Sequence, residues 1–310
     1  MSKSLNLPAR VKVVEVGPRD GLQNEPDPIP TPTKVEFIDR LSETGLSCIE
    51  VTSFVSPRWI PQLADATDVY THITRKENIV YPVLVPNERG MERALAADAK
   101  TIAIFNAASN TFNQKNINAS IEDAFKRLKI VAAIAQRENI AIRGYVSCVL
   151  GCPYEGAIDP QTVSRVASEM FELGCYEISL GDTIGIGTPQ RARAMLDTVA
   201  RELSLDKLAV HFHDTRGQAL ANVLACLEYG VTTVDSSVAG LGGCPYAEGA
   251  SGNLATEDLV YMLHGMNIET GIDLDALIAA GRFITEKMGR EPASRLGRLP
   301  KGGRAPRYTT

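Results

Sequence analysis

The sequence contains no apolar run that approaches the roughly 18 residues of a membrane span. Residues 1–10 lack the apolar centre of a secretory leader. A cytoplasmic protein without a membrane partner is expected. Positive charge is not in excess either: 32 Lys and Arg stand against 37 Asp and Glu, a formal net charge of -5. Nucleic-acid binding rests on a concentrated positive footprint, so a general polyanion partner is excluded and an anionic substrate must find local cations. Cysteines are few and irregularly placed. The six, Cys48, Cys148, Cys152, Cys175, Cys226 and Cys244, form no CxxC pair and no second pair that completes a zinc cluster. Neither a disulfide scaffold nor a redox motif is expected, and buried thiols are the default. No GxGxxG follows a candidate strand, which weakens the dinucleotide-binding form of an open α/β sheet.

What is present is ample apolar residue, 44% of 310 positions, enough for one large core. Short β-rich runs occupy residues 11–16, 48–53, 79–85, 101–105, 140–147, 176–180, 208–212 and 232–238. Helical patterns lie between them. Ser120 can cap a helix over 121–137, and Thr188-Pro189 opens another that runs to Leu203. Parallel strands need crossover helices, and about eight strand–helix units favour a closed α/β architecture, the (β/α)8 TIM barrel, over an open doubly wound sheet. Residues 1–288 are expected to form this single catalytic domain, with an additional C-terminal helical segment beyond Asp275 packed outside. Residues 289–310 then form a basic, flexible tail, in which Arg290, Arg295, Arg298, Lys301, Arg304 and Arg307 face only Glu291.

Chemistry-bearing residues fall just after the strands, where a barrel gathers them at one rim. The seventh run leads into His211-Phe-His213, and positions two apart on a strand point the same way, so both rings can address one point. Asp20 follows the first run and Asn253 closes the eighth loop. Two imidazoles, one carboxylate and one amide suit Mg2+ or Mn2+ better than a closed structural zinc site. Arg19 precedes Asp20 and offers a planar cation for an oxygen that gains negative charge. Glu50 and Asp182 are further acids near the rim, for direct acid–base work or for bracing Arg19 or a histidine. The loop from Gly240 to Asn253 places Cys244 among glycines, a setting in which a thiol can transfer a proton.

Several segments carry a family resemblance: Val16-Gly-Pro-Arg-Asp-Gly-Leu-Gln-Asn24, Ile49-Glu-Val-Thr-Ser-Phe54, Gly144-Tyr-Val-Ser-Cys148, Gly151-Cys-Pro-Tyr-Glu155, Ser179-Leu-Gly-Asp-Thr183 and Ser237-Val-Ala-Gly-Leu-Gly-Gly-Cys-Pro-Tyr246. Together they resemble the 3-hydroxy-3-methylglutaryl-CoA lyase family, of bacterial type, from about Val11 to Phe283. The Asp20, His211 and His213 trio is shared more widely with related aldolases and condensing enzymes, whereas the Cys244 loop is specific. The resemblance implies metal-dependent cleavage of 3-hydroxy-3-methylglutaryl-CoA to acetoacetate and acetyl-CoA, a step of leucine catabolism. It implies metal binding by Asp20, His211, His213 and Asn253, substrate charge stabilisation by Arg19 and proton transfer by Cys244. Glu50 and Asp182 match acidic positions of that family's site. The first acceptor of the hydroxyl proton stays open among Asp20, a histidine and water. The implied partners are a CoA thioester substrate and a second copy of the chain in a homodimer. Two other readings share the barrel: a lyase for a longer 3-hydroxy-3-alkylglutaryl-CoA, and an enzyme that condenses acetyl-CoA with a 2-oxoacid.

Overall fold

A computed structural model describes residues 6–242 and 252–300; Cys244 and the last ten residues lie outside the described residues. The strands are β1 (Lys12–Glu15), β2 (Cys48–Ile49), β3 (Thr52–Ser53), β4 (Val83–Leu84), β5 (Thr101–Ala107), β6 (Ala141–Ser147), β7 (Cys175–Asp182), β8 (Leu208–Phe212) and β9 (Thr233–Ser236). All pair in parallel in the order β2-β1-β9-β8-β7-β6-β5-β4-β3. The two ends of that order, β2 and β3, are halves of one stretch, residues 48–53. Its amides bond to both neighbours: Glu50 N donates to Glu15 O, and Ile49 N and Val51 N donate to Val80 O and Pro82 O. The sheet therefore closes on itself as the expected barrel. Glu50 and Val51 bond to different neighbours, which divides this strand in two.

The helices are α1 (Thr31–Ser42), α2 (Ala66–His72), α3 (Glu88–Ala96), α4 (Asn110–Ile117), α5 (Ile121–Arg137), α6 (Pro160–Glu172), α7 (Pro189–Val199), α8 (Ala219–Tyr229), α9 (Thr256–Gly265) and α10 (Leu274–Lys287). α5 shows why they form. The Ser120 side chain accepts from Asp123 N, and Ile121, Ala124, Phe125, Leu128, Val131, Ala132 and Ala135 recur at helical spacing as its buried face. α10 supplies the additional helix, packed against α1 and α9. Two boundaries differ from the sequence reading. The run at 79–85 shrinks to β4 because Pro82 and Pro86 carry no N–H to extend a ladder. The helix opened by Pro189 ends at Val199, after which Leu203 is buried in a turn.

The first part of the expected tail, residues 289–300, lies against the barrel. Ala293 N and Ser294 N donate to Ala239 O, and Arg295 N and Leu296 N donate to the Asp258 carboxylate. No helix among the described residues is long and apolar enough to cross a membrane.

Candidate active site

β1 ends at Glu15, and the chain turns at once through a single π-helical turn, Gly17–Gly21. The amides of Arg19, Asp20 and Gly21 all converge on Val16 O, at 3.2, 2.8 and 3.2 Å. This tight turn aims Arg19 inward and leaves Asp20 at the rim. Gly21 is required by close approach: a Cβ there would stand 2.7 Å from Leu241 Cβ and 2.8 Å from Ser237 Oγ. Glu15 secures the turn from below. Its carboxylate accepts Gly17 N and Val238 N at 2.8 Å each and Thr256 Oγ1 at 2.6 Å, while burial pushes its pKa up to about 7.

Two strands further round the barrel, beyond β9, His211 lies on β8 and His213 just past its end, with ring centres 5.5 Å apart. Residues 252–254 run beside them, since Asp214 N donates to Gly252 O and Leu254 N to Phe212 O. That bridge carries Asn253 into the site. Asn253 Nδ2 donates to Asp20 Oδ2 at 2.8 Å and to Leu241 O at 3.2 Å. Gly242, at φ 95°, leaves room for the amide, because a Cβ would come within 2.7 Å of Asn253 Nδ2.

Asp20, His211 and His213 each offer a ligand atom, and these atoms all lie within 4.8 Å of one another. Burial opposes ionisation of Asp20, but Arg19 and the two histidines outweigh it and hold the carboxyl well below the usual range. His213 is driven down to about 4 by burial and by His211, so its imidazole is neutral at neutral pH. Its Nδ1 is buried with no hydrogen-bond partner. An ionised carboxylate, a neutral imidazole and an orphaned ring nitrogen make a donor set that fits a divalent cation. His211 Nδ1 sits 3.4 Å from Asp235 Oδ2 and, like His213 Nδ1, is buried without a hydrogen-bond partner.

Arg19 and Glu50 meet directly. Arg19 Nε donates to Glu50 Oε2 at 2.8 Å and Nη1 to Asp20 Oδ1 at 2.6 Å. Tyr145 Oη also donates to Glu50 Oε2, at 3.1 Å, and the Arg19 guanidinium lies 5.5 Å from the centre of the Tyr145 ring. Burial raises the Glu50 pKa despite the opposing pull of Arg19, and Glu50 Oε1 has no partner. Asp182 stands apart from this group. Its oxygens accept Ile186 N at 3.2 Å and Gly187 N at 2.7 Å, so its carboxylate braces the loop after β7.

The sequence reading missed an ion network inside the barrel. Arg143, fully buried, donates to both oxygens of Asp235 at 2.7 and 3.0 Å, to Glu177 at 2.7 Å and to Tyr145 Oη at 2.8 Å. Lys12 and Thr233 reach Glu177, and Ser179 Oγ donates to Asp235. The signal was polar residues two apart on single strands: Arg143 and Tyr145, Glu177 and Ser179, Thr233 and Asp235. Above the network a cavity of about 720 Å³ opens from Arg19, Asp20, His211 and His213 outward to Trp59 and Lys115. A larger hollow against α1 and α2 contains none of these groups.

The chain is similar to known proteins in sequence and in fold. The chain matches the family model HMGL-like over residues 10–284. It is 59% identical over 290 residues to the mitochondrial hydroxymethylglutaryl-CoA lyase of Homo sapiens, covering 94% of this chain and 89% of that protein. It is 56% identical over 295 residues to the cytoplasmic 3-hydroxy-3-methylglutaryl-CoA lyase of Rattus norvegicus, covering 95% and 86%. A crystal structure of hydroxymethylglutaryl-CoA lyase from Pseudomonas aeruginosa is similar at 51% identity and TM-score 0.93, covering 94% and 98% of the two chains. A structure of an HMG-CoA lyase from Acinetobacter baumannii, in complex with coenzyme A and 3-methylmalate, is similar at 39% identity and TM-score 0.90, covering 100% and 99%.

Proposed function

Since the chain belongs to the hydroxymethylglutaryl-CoA lyase family, we propose that it cleaves 3-hydroxy-3-methylglutaryl-CoA to acetoacetate and acetyl-CoA at the rim where Arg19, Asp20, Glu50, His211, His213 and Asn253 meet. It is a carbon–carbon lyase. The observation that carries the reading is the convergence of the Asp20, His211 and His213 ligand atoms within 4.8 Å, beside an arginine clamped by two carboxylates.

The bond that breaks joins the tertiary carbinol carbon to the carbon next to the thioester. Its electron pair moves onto the thioester as an enolate, the hydroxyl proton passes to Asp20, a histidine or water, and the enolate carbon then takes up a proton from the Cys244 thiol to become the methyl of acetyl-CoA. Asp20, His211, His213 and Asn253 would hold Mg2+ or Mn2+; when bound, the cation makes the tertiary hydroxyl more acidic. Arg19 is placed to stabilise oxygen charge as the enolate forms, with Glu50 and Tyr145 fixing its plane. Asp182 acts as a positioning residue through the 183–187 loop. Cys244, which lies outside the described residues, returns the proton to carbon; its place in the glycine-rich loop of the sequence supports this. A cytoplasmic homodimer completes the reading.

The test is turnover of 3-hydroxy-3-methylglutaryl-CoA with both products identified, before and after exhaustive chelation. Activity is expected to vanish on chelation and return with Mg2+ or Mn2+. His213→Ala is expected to weaken Mn2+ binding measured calorimetrically. Undiminished turnover by metal-free protein, or normal Mn2+ affinity in the variant, rejects the metal assignment.

A further inference from the structure

The carbinol carbon of the substrate carries four groups. Three are polar or lead to polar ends: the hydroxyl, the arm that ends in a carboxylate and the arm that ends in the thioester. The fourth is a plain alkyl group. The reacting end of the cavity is divided as well. Its charged side chains, Arg19, Asp20, His211 and His213, come from the turn after β1 and from the end of β8. The lining residues carried by β3 to β6 are Ser53, Leu84, Phe105, Tyr145, Val146 and Ser147, and none of them is charged.

The polar atoms on this uncharged side are largely committed. Tyr145 Oη accepts from Arg143 Nη1 at 2.8 Å and donates to Glu50 Oε2 at 3.1 Å, so what Tyr145 leaves for a ligand is ring carbon. Ser53 Oγ donates to Leu84 O and accepts from Val55 N. Ser147 ends β6, one step nearer the rim than Tyr145. Leu84, Ala103 and Tyr145 form a small buried cluster of their own, with Phe105 packed against it. Parallel register explains the cluster, since Leu84 pairs with Ala103 and Phe105 with Tyr145 on adjacent strands. The patch begins where the metal-binding groups end. The Tyr145 ring stands edge-on to His211, with centres 6.3 Å apart, and its centre is 5.5 Å from the Arg19 guanidinium.

Resting on the function proposed above, we infer that Leu84, Phe105 and the ring of Tyr145 form the pocket for the alkyl group on the carbinol carbon, and that Leu84 and Phe105 limit its length to a short chain. With the hydroxyl and carboxylate drawn to the Asp20, His211 and His213 side and the thioester oxygen to Arg19, the alkyl group turns to the uncharged side. Burial there removes apolar surface from water and strips no charge of its solvent.

Two measurements decide it. In the first, wild type, Phe105→Ala and Leu84→Ala are assayed on 3-hydroxy-3-methylglutaryl-CoA and on its 3-butyl homologue, in which the same bond breaks to give acetyl-CoA and 3-oxoheptanoate. Wild type is expected to cleave the butyl substrate with a kcat/KM lower by about tenfold or more, and each variant to raise the butyl-to-methyl ratio by about tenfold or more. The ratio cancels any loss of folded protein, which lowers both substrates alike, and Leu84→Ala reads the pocket where Phe105→Ala fails to fold. Wild type that cleaves both substrates equally well, or a ratio that the variants leave unchanged, overturns the inference.

The second measurement needs no turnover. The free diacids 3-hydroxy-3-methylglutarate and 3-hydroxy-3-butylglutarate are titrated calorimetrically into Mn2+-loaded wild type and Phe105→Ala. The ratio of their Kd values is expected to move about tenfold toward the butyl diacid in the variant. An unmoved ratio overturns the inference. Wild type that cleaves neither thioester, while the Kd ratio still moves in the variant, counts against the proposed reaction and for the pocket.

Discussion

The Arg19 guanidinium has two donors committed, Nε to Glu50 and Nη1 to Asp20, and Tyr145 reinforces the Glu50 oxygen that receives it. Its plane is therefore set before substrate arrives, and no reorganisation is needed when charge develops. Lysine keeps the charge but lacks the fork, so it cannot satisfy both carboxylates and still face a third oxygen. Arg19→Lys should lower kcat by about 10² to 10³-fold, the size seen when an oxyanion donor is removed. A thermal melt of the same variant should stay near wild type, and wild-type kcat would reduce Arg19 to a structural rim residue. Arg19 and Asp20 could be read from the sequence because they follow the first strand, where a barrel gathers polar residues at one rim, and lie in a segment that carries the family resemblance. Asp182 was harder. Its one-dimensional setting at a strand end resembles that of Asp20, and only the fold reveals that its oxygens are occupied by the amides of its own loop.

Elements behave as levers between such residues. Ala239, at φ 58°, holds an unusual conformation in the turn that leads toward the Cys244 loop. Two supports fix it. Its amide donates to both oxygens of Glu257 at the start of α9, and its carbonyl accepts two amides from the segment beginning at Arg290. Burial pushes Glu257 up to about 8, outweighing the amide, which favours the ionised form. The folded pKa lies above the ordinary value of 4.5, so Glu257 favours the folded state most fully below about pH 4.5 and this contribution fades as pH climbs to about 8. Glu257→Gln cannot ionise. The difference in Tm, variant minus wild type, should therefore be more positive at pH 8.5 than at pH 5.5, read by calorimetry at matched ionic strength. A difference independent of pH would mean that Glu257 is ionised throughout. None of this was legible in the sequence, where Glu257 looks like a first-turn acid suited to a helix dipole. The strands and main helices were legible because apolar period and capping residues are local, while the prolines that cut β4 short act through the amides they remove.

At the scale of the whole molecule, barrel closure turns alternation into chemistry. Arg143, Glu177 and Asp235 sit on three different strands, and closure of the sheet brings them together, buried inside the barrel beneath the rim. The network has two duties that a pair of variants can separate. One is electrostatic neutrality of the core. Arg143→Met leaves Asp235 buried without its bidentate partner, whereas Glu177 keeps Lys12, so a loss of about 3 to 5 kcal/mol in urea unfolding is expected. Adding Asp235→Leu removes the stranded charge and should return more than half of that loss, because a buried pair replaced by apolar groups of similar volume is often nearly neutral. The second duty is orientation of His211, which meets Asp235 at 3.4 Å through Nδ1. The double variant cannot recover that contact. Its Mn2+ affinity, measured calorimetrically on folded protein, should stay about 10 to 100-fold below wild type even as stability returns. If stability and metal affinity recovered together, Asp235 would serve the fold alone, and His211 would have to be oriented by Asp20 and by its packing against Tyr145.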